Sequence, residues 1–366
     1  MGISKWQLDD TTTPVFGLTK GQLMPVVESV AGEPVAWFGV SIGHALASEH
    51  YGGRGEKVIP TFEYRTQRGR TGMRTIFAKQ HCNTGPNEAL HYKWLTEQRA
   101  PIPRIYWAIS GTEARDIIFL EQIDPFTGDE ERFVSDDDTF LQFLSLTARF
   151  NAIRPCEEYA ARLPCKLPWM GCETLVSTLE GFWEHAVRGE AGEEVKRICS
   201  EDELVRLVKV AGRMAEPIAC MKQALSHWDH RPNNMGWRKE TGEMVIFDLE
   251  DTMIGPWFDD VADWLGAPDI VQQRCRPREE LTRHYVEQLE RWGGERAAVE
   301  ELLEETYVLW ILHALRSLDW WLRYGGVFEE SETSSETDQP EHRFRSRDKL
   351  CRELHGLVTA AAMWQR

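Results

Sequence analysis

The hydrophobic periodicity of this chain changes near residue 124, and the change limits the folds that its sequence can adopt. Short apolar, β-branched and aromatic runs before that point predict strands over residues 34–42, 57–67, 74–82, 100–110 and 116–123. A helical pattern over residues 85–98 follows the third run, and helical spacing dominates after residue 124. We therefore predict an α+β chain with a small, mostly antiparallel sheet lobe over residues 1–122 and a larger, mostly helical lobe over residues 123–366.

The charge balance argues against several kinds of partner. The 366 residues include 42 Lys and Arg against 59 Asp and Glu, which gives a formal charge of -17 at pH 7. A negative field of this size repels phosphate backbones and anionic lipid, so we expect no nucleic-acid binding and no membrane binding. It favours a cationic small molecule as partner, although acidity that merely keeps the protein soluble explains the charge equally well.

The cysteines and the beginning of the chain indicate a cytoplasmic protein. The eight cysteines are scattered and form no Cys-x-x-Cys pair of the kind that zinc ribbons and thioredoxin-type sites use. The first ten residues, MGISKWQLDD, lack the apolar core of a signal sequence, and no apolar run reaches the length of a membrane span. We therefore expect reduced thiols and a cytoplasmic location.

The segment LSHWDHRPNN (225–234) allows two interpretations of Asp229. In the first, His227, Asp229 and His230 are the end of a metallohydrolase pattern of the type H-x-H-x-D-H. That pattern needs another His at position 225, which is Leu225. Zinc sites use three or four nitrogen, sulfur or oxygen ligands, and nothing nearby supplies the missing His. The metal-ligand interpretation is therefore disfavoured.

In the second interpretation, the segment is the catalytic loop of a phosphotransferase. Phosphoryl transfer needs a group that orients and deprotonates the acceptor hydroxyl, together with oxygen ligands for the Mg²⁺ that bridges the phosphates. Asn234 follows Asp229 by five residues, and Asp248 lies in the apolar run MVIFDLE further on. We predict that Asp229 is the catalytic base and that Asn234 and Asp248 are Mg²⁺ ligands.

The phosphates of the nucleotide also need a cation, and the first third of the chain supplies a candidate. Lys79 lies on the third predicted strand in TIFAKQ, and Glu88 lies early in the following helix in NEAL. A Lys on a strand is most often a solvated surface charge, but Lys79 follows largely apolar positions. We predict that Lys79, held by Glu88, binds the nucleotide phosphates.

These residues resemble those of the aminoglycoside phosphotransferase and choline kinase group, small-molecule kinases with a protein-kinase-like bilobal fold. The patterns H-G-D-x-H-x-x-N, I-D-x-E and G-x-x-x-x-D-L-A of that group have counterparts here in HWDHRPNN, IFDLED and GPWFDDVADW. The resemblance implies an N-terminal nucleotide-binding lobe and a helical lobe for catalysis and acceptor binding. It also implies that Glu121, Gln122 and Ile123 form the hinge whose backbone contacts the purine, and that Asp260 is a buried structural aspartate.

The chain departs from the pattern of the group at three places. Trp228 replaces the usual Gly, Arg231 replaces the second His, and the helix pattern LA-x-LH reads LTARFNAI without its His. None of these changes removes a predicted catalytic group. Together they indicate a divergent branch with an unusual acceptor.

The resemblance implies that the acceptor lies against the helical lobe. The last long apolar helix carries one stripe of aromatic and basic residues at spacings of three and four, formed by His313, Arg316, Trp320 and Tyr324. This stripe is our candidate for the acceptor pocket. An ordinary packing face in a Trp-rich protein explains the stripe as well.

The sequence therefore predicts a small-molecule kinase that transfers the γ-phosphoryl group of ATP or GTP, with Mg²⁺, to a hydroxyl of a small acceptor. The alternative is a catalytically silent kinase fold that serves as a nucleotide-dependent sensor or scaffold. A protein kinase is less favoured, because no D-F-G and A-P-E pair marks an activation segment.

Overall fold

The computed structural model describes residues 12–46, 55–82, 88–110, 115–127, 135–163, 220–267 and 276–324, together with the isolated positions 133, 200, 202, 203, 205, 209 and 218. The chain divides into two compact units. The first consists of Met1–Phe126 and Asn233–Glu250, and the second consists of Thr127–Pro232 and Asp251–Arg366. Sheets dominate the first unit and helices the second, which confirms the predicted α+β class.

The helices and strands are numbered in chain order. The strands are β1 (Val35–Leu46), β2 (Gly55–Thr66), β3 (Thr71–Cys82), β4 (Ile105–Ser110), β5 (Arg115–Glu121), β6 (Ile123–Pro125), β7 (Gln223–Ser226), β8 (Met235–Arg238), β9 (Met244–Ile246) and β10 (Met253–Pro256). The helices are α1 (Lys20–Ala31), α2 (Glu88–Glu97), α3 (Asp137–Asn151), α4 (Glu157–Ala160), α5 (Asp259–Leu265), α6 (Arg278–Arg291) and α7 (Val299–Tyr324).

A five-stranded sheet of order β1-β2-β3-β5-β4 forms the centre of the first unit, and all its neighbouring strands are antiparallel. Helix α1 covers one face of this sheet, where Val26 and Val27 join a core with Val58 of β2 and Ala78 of β3. Side chains alternate between the two faces of a strand. Lys79, the next residue after Ala78, therefore lies on the face opposite to α1.

Helix α1 was not predicted, although its first turn carries a sequence signal. The Thr19 hydroxyl accepts a hydrogen bond from the Gln22 N–H (3.2 Å), and the Gln22 side chain accepts one from the Thr19 N–H (2.9 Å). This reciprocal pair is a capping box. Pro25 lies inside the helix, and a proline there normally interrupts helical structure. The proline obscured a pattern that the cap and the buried apolar face otherwise support.

A second sheet extends the first unit beyond the predicted boundary at residue 122. Strands β6, β8 and β9 form an antiparallel sheet of order β6-β8-β9, and the Phe126 N–H donates to the Met235 carbonyl (2.9 Å). Because β8 pairs with β6 and β9 pairs with β8, the segment Asn233–Glu250 belongs to the first unit. The sequence patterns had assigned this segment to the C-terminal lobe.

The described part of the second unit consists mainly of helices around an aromatic core. Helix α3 begins after Asp136, whose carboxylate accepts a hydrogen bond from the Thr139 N–H (3.2 Å). The rings of Phe133, Phe143 and Trp264 lie edge to face, with centroids 5.2–5.5 Å apart. Strands β7 and β10 of this unit pair with each other in antiparallel orientation. None of the helices in the described ranges is long and apolar enough to cross a membrane.

Candidate active site

Lys79 and Glu88 form the centre of a buried charged cluster in the first unit. The Lys79 side chain is 3% exposed, and its Nζ lies 3.2 Å from Glu88 Oε2, which is 1% exposed. Lys79 reaches this position from β3, and Glu88 is the first residue of α2. The second Glu88 oxygen accepts a hydrogen bond from the Leu249 N–H (3.0 Å). The structure thus brings together the predicted Lys–Glu pair and fixes both glutamate oxygens.

Two further carboxylates complete this cluster. Lys79 Nζ lies 3.3 Å from Glu250 Oε2 and forms an ion pair with Asp248. Burial by itself would lower the pKa of Lys79, but the charges of Glu88, Asp248 and Glu250 outweigh it and raise the pKa well above its ordinary value. Lys79 is therefore a cation near neutral pH, which is consistent with the predicted binding of phosphate.

The carboxylates of this cluster are suited to a divalent cation. One oxygen each of Glu88, Asp248 and Glu250 lies within 4.8 Å of the others. Oxygen donors of this kind are the ligands that Mg²⁺ prefers. The Phe247 N–H donates to the carbonyl of Asn234 (2.9 Å), which ties the predicted amide ligand to the segment that carries Asp248. The carboxylates of this cluster therefore fit Mg²⁺, with Asp248 and Glu250 as candidates to hold it, and the role of Asn234 as a metal ligand stays a prediction.

Glu250 belongs to the charged cluster, although its role was not predicted from the sequence. It follows Asp248 by two residues, in a 3₁₀ turn over Leu249–Asp251. Asp248 itself has a φ of +63°, in the left-handed region that L-residues rarely adopt. This left-handed residue lies in the segment that brings the carboxylates of Asp248 and Glu250 to Lys79. The acidic residue of the I-D-x-E pattern was the available signal for Glu250.

The predicted hinge is an extended segment between the two sheets of the first unit. Glu121 ends β5 and Ile123 begins β6, with Gln122 between them. The Glu121 carboxylate accepts a hydrogen bond from the Arg104 N–H (3.1 Å) and forms an ion pair with Arg238. These contacts fix the Glu121 side chain, and purine binding by the backbone of this segment stays a prediction.

In the second unit, Asp260 organises the loop that carries Asp229. One Asp260 oxygen accepts from the Ser226 hydroxyl (2.8 Å) and the Trp228 N–H (2.9 Å). The other accepts from the His227 N–H (2.9 Å) and the Asn151 amide (2.8 Å). Burial would raise the pKa of Asp260, but the neighbouring histidines and these hydrogen bonds outweigh it and lower the pKa below its ordinary value. Asp260 is thus an anion that accepts four hydrogen bonds.

Asn151 occupies the place where the resemblance leads one to expect a His. Its amide donates to the Leu225 carbonyl (2.9 Å) as well as to Asp260, and its oxygen accepts from the Tyr285 hydroxyl (2.9 Å). The asparagine therefore links α3, β7, α5 and α6. A neutral amide performs this connecting role without the titration of a His.

Asp229 combines a fixed backbone with an accessible carboxylate. Its N–H donates to the His227 carbonyl (2.9 Å), while its side chain remains 32% exposed. The guanidinium of Arg231 lies 2.5 Å from Asp229 Oδ1. Arg231 stands where the resembling group has a His, so the proposed base carries a cationic neighbour here. A half-buried carboxylate on a loop that is held by backbone hydrogen bonds suits a general base.

Trp228 occupies a backbone position that favours glycine. Its φ is +73°, and a non-glycine residue in this region costs on the order of 1–3 kcal/mol. The hydrogen bonds from its N–H to Ser226 and Asp260 hold this conformation. The half-buried indole lies edge to face with His313, with ring centroids 6.3 Å apart.

His230 is buried in the second unit. Its ring stacks on Phe143 at a centroid distance of 4.6 Å, and its Nε2 lies 2.5 Å from the Thr147 hydroxyl. Burial lowers the pKa of His230 to about 3, so the ring is neutral near neutral pH. These contacts use His230 in packing and give no support to the metallohydrolase interpretation.

His313 is the member of the candidate acceptor stripe whose side chain the structure describes. Its ring nitrogens lie 2.9 Å from Asp259 Oδ1 and 3.0 Å from Asp263 Oδ1. Both nitrogens therefore face carboxylates. The backbone of α7 extends to Tyr324, but the side chains of Arg316, Trp320 and Tyr324 lie outside the described residues. The acceptor stripe stays a prediction.

The charge of His313 gives a testable pH dependence. Burial would lower the pKa of His313, but Asp263 and Asp259 outweigh it and raise the pKa to about 10. The charged His313 stabilises the folded state fully at pH values below its unfolded-state pKa of 6.5, and this stabilisation is lost as the pH rises through about 10. We expect wild type to lose on the order of 2 kcal/mol relative to His313→Gln over this window, because solvent screening at Asp263 reduces the full effect.

Urea unfolding of both proteins across this pH range measures the difference. His284→Gln is the matched control, because burial lowers the pKa of His284 and confines its effect to pH below 6.5. A constant difference between wild type and His313→Gln up to pH 10 would mean that His313 is not held as a cation.

The fold and the Lys–Glu–Asp cluster define a kinase-like phosphotransferase. The chain belongs to the phosphotransferase enzyme family, whose family model matches residues 67–302. A choline/ethanolamine kinase family protein from Mesorhizobium loti has a similar fold, with a TM-score of 0.52, 14% identity, and coverage of 88% of this chain and 92% of that chain. The predicted family and kinase-like fold are confirmed.

Two other solved structures are similar at lower scores. An ethanolamine kinase from Plasmodium vivax has a TM-score of 0.48 and 12% identity, covering 89% of this chain and 82% of that chain. A thermostable mutant of aminoglycoside phosphotransferase APH(4)-Ia, in a ternary complex with ADP and hygromycin B, has a TM-score of 0.46 and 11% identity, covering 93% and 98%. A search of curated proteins finds no match.

Proposed function

We propose that this protein is a small-molecule kinase that transfers the γ-phosphoryl group of ATP or GTP to a hydroxyl group of a small acceptor. The observation that carries the proposal is the buried Lys79 ammonium in contact with the carboxylates of Glu88, Asp248 and Glu250. A buried cation beside oxygen donors for a metal ion meets the two electrostatic needs of phosphoryl transfer, because positioning and charge neutralisation supply most of the catalysis.

Lys79 would bind phosphate oxygens of the nucleotide, and Glu88 would keep its ammonium in place. Asn234, Asp248 and Glu250 would hold Mg²⁺, which when bound neutralises charge on the phosphates. The hinge Glu121–Gln122–Ile123 would contact the purine through its backbone. The choice between ATP and GTP follows from that backbone contact and not from the charged cluster.

Asp229 would accept the proton of the acceptor hydroxyl. The hydroxyl oxygen forms a bond to the γ-phosphorus, and the bond from that phosphorus to the β–γ bridging oxygen breaks. The nucleoside diphosphate leaves with the electron pair, and Asp229 takes up the proton. Asp229 belongs to the second unit and the charged cluster to the first, so the two assignments rest on separate observations.

The acceptor that the charge distribution favours is a cation. The whole chain carries a formal charge of -17, and a field of this sign raises the local concentration of cationic ligands. A small amine-bearing alcohol matches this charge.

A thermal-shift titration tests the nucleotide site. We expect wild type to gain about 2.7 kcal/mol of stability at a nucleotide concentration about 100 times Kd, seen as a rise in Tm of several degrees. The shift requires Mg²⁺ with ATP or with GTP, and Asp248→Asn should lose this Mg²⁺-dependent shift because a metal ligand loses its charge.

Asp124→Asn is the matched control, since Asp124 is an exposed aspartate of the same unit that lies on β6 and pairs with Lys239. Asp124→Asn should show the same Mg²⁺-dependent rise in Tm as wild type. No shift with either nucleotide would refute the proposed function, and a shift with Zn²⁺ alone would restore the metallohydrolase interpretation. Phosphorylation of any small hydroxyl compound separates an active kinase from a silent kinase fold.

A further inference from the structure

A second buried lysine lies directly opposite Lys79. Lys57 of β2 pairs with Lys79 of β3 in the antiparallel register, and the neighbouring pair is Val58 with Ala78. Directly opposite residues of antiparallel strands share a face. Val58 and Ala78 belong to the core under α1, so Lys57 and Lys79 both lie on the opposite face. The register thus places two ammonium groups on the face that carries the charged cluster.

Burial distinguishes Lys57 from an ordinary surface lysine. The residue is 8% exposed, and lysines are almost never this buried without a specific charged environment. Burial lowers the pKa of Lys57, and the positive charge of Lys79 lowers it further. Asp248 is the largest influence that raises this pKa, and Glu88 and Glu250 raise it less. Lys57 therefore lies within the electrostatic field of the carboxylates that surround Lys79.

The balance of charge indicates what a second lysine contributes. The cluster has three negative charges, on Glu88, Asp248 and Glu250. With Lys79 as the sole cation, two negative charges remain in excess. A triphosphate that enters such a site meets repulsion from the carboxylates that the metal does not neutralise. A second ammonium on the same face halves that excess. Its cost is repulsion between Lys57 and Lys79, which an anionic ligand relieves.

We propose that Lys57 is a second phosphate-binding lysine of the nucleotide site and contacts phosphate oxygens of the bound nucleoside triphosphate beside Lys79. This inference rests on the proposed function, because it assigns a further residue to the same nucleotide site. In this proposal Lys57 contacts only the phosphate chain, and other residues contact the nucleoside part of the ligand. That division allows the role of Lys57 to be measured separately.

Calorimetric titration of the full-length protein with Mg²⁺ and a non-hydrolysable ATP analogue, with ADP, and with adenosine provides the test. Lys57→Met retains the aliphatic side chain and removes the charge. We expect Lys57→Met to weaken binding of the ATP analogue by about tenfold or more, the usual effect of losing a charge-assisted hydrogen bond. Binding of ADP falls less, and binding of adenosine does not change. Lys57→Arg keeps the charge and retains most of the affinity.

Lys93→Met is the matched control, because Lys93 is an exposed lysine on α2 in the same unit. It should bind all three ligands like wild type. Equal affinity of Lys57→Met and wild type for the ATP analogue would overturn the inference alone, with the proposed function intact. An equal loss for the analogue and adenosine would also overturn it, since a merely structural role predicts that result. If wild type binds no nucleotide, both proposals fail. Lys57→Gln also removes the charge and gives the same comparison if Lys57→Met does not fold.

Discussion

Asp229→Asn is expected to reduce turnover by about 10² or more while nucleotide affinity stays at the wild-type level. Removal of a general base has effects of this size. Asparagine has the shape of aspartate but cannot accept the proton of the acceptor hydroxyl. The variant retains Lys79, Glu88 and Asp248 in the first unit, so the proposed nucleotide-binding groups are unchanged. The result separates the role of Asp229 from that of the charged cluster.

Release of nucleoside diphosphate in the presence of small amine-bearing alcohols measures turnover, and the fastest acceptor is used for the comparison. Asp138→Asn is the matched control, because Asp138 is an exposed aspartate in the first turn of α3 and makes no proposed contribution to catalysis. Turnover of Asp229→Asn equal to that of Asp138→Asn would exclude Asp229 as the base. A loss of turnover that accompanies an equal loss of nucleotide affinity would instead indicate general damage to the fold.

The sheet of the first unit was predictable because its signals are local. Strand patterns before residue 124 correspond to β1 to β5, and the helical pattern after the third strand corresponds to α2. Lys79 and Glu88 could be assigned because their positions on successive elements follow from the same patterns. The boundary at residue 122 differed from the observed division because the pairing of β6 with β8 joins residues more than 100 positions apart. Periodicity within one segment carries no information about such pairing.

The more detailed features of the site depend on contacts between distant segments. The face that carries Lys57 follows from the register of β2 against β3, and strand patterns do not fix a register without the turn that connects the strands. The resemblance implied a buried Asp260, but its four donors come from α3, from the last residue of β7 and from the loop that follows β7. The positive φ of Trp228 was not evident either, since the residue at that position is not glycine.

Asp260→Ala is expected to destabilise the second unit more than the other substitutions considered. It leaves the hydrogen-bond donors of Ser226, His227, Trp228 and Asn151 without their carboxylate. Each buried donor that remains unsatisfied costs about 1–3 kcal/mol, and relaxation or entry of water satisfies some of them. We expect a loss of about 3–5 kcal/mol in the free energy of unfolding, a large fraction of the roughly 5–15 kcal/mol of a typical domain. Asp260→Asn retains one acceptor oxygen and should lose less.

The stabilisation by Asp260 has a defined pH dependence. Because the folded-state pKa lies below the ordinary value of 3.8, the contribution is present above that pH and disappears as the pH falls through the folded-state pKa. Urea unfolding near neutral pH and below pH 3.8, with Asp138→Ala as control, measures both the size of the effect and its sign. A loss in Asp260→Ala no larger than in Asp138→Ala would show that the four hydrogen bonds contribute little to folding. In that case the positive φ of Trp228 would need another source of stabilisation, because the bonds to Asp260 are what fix the loop around Asp229.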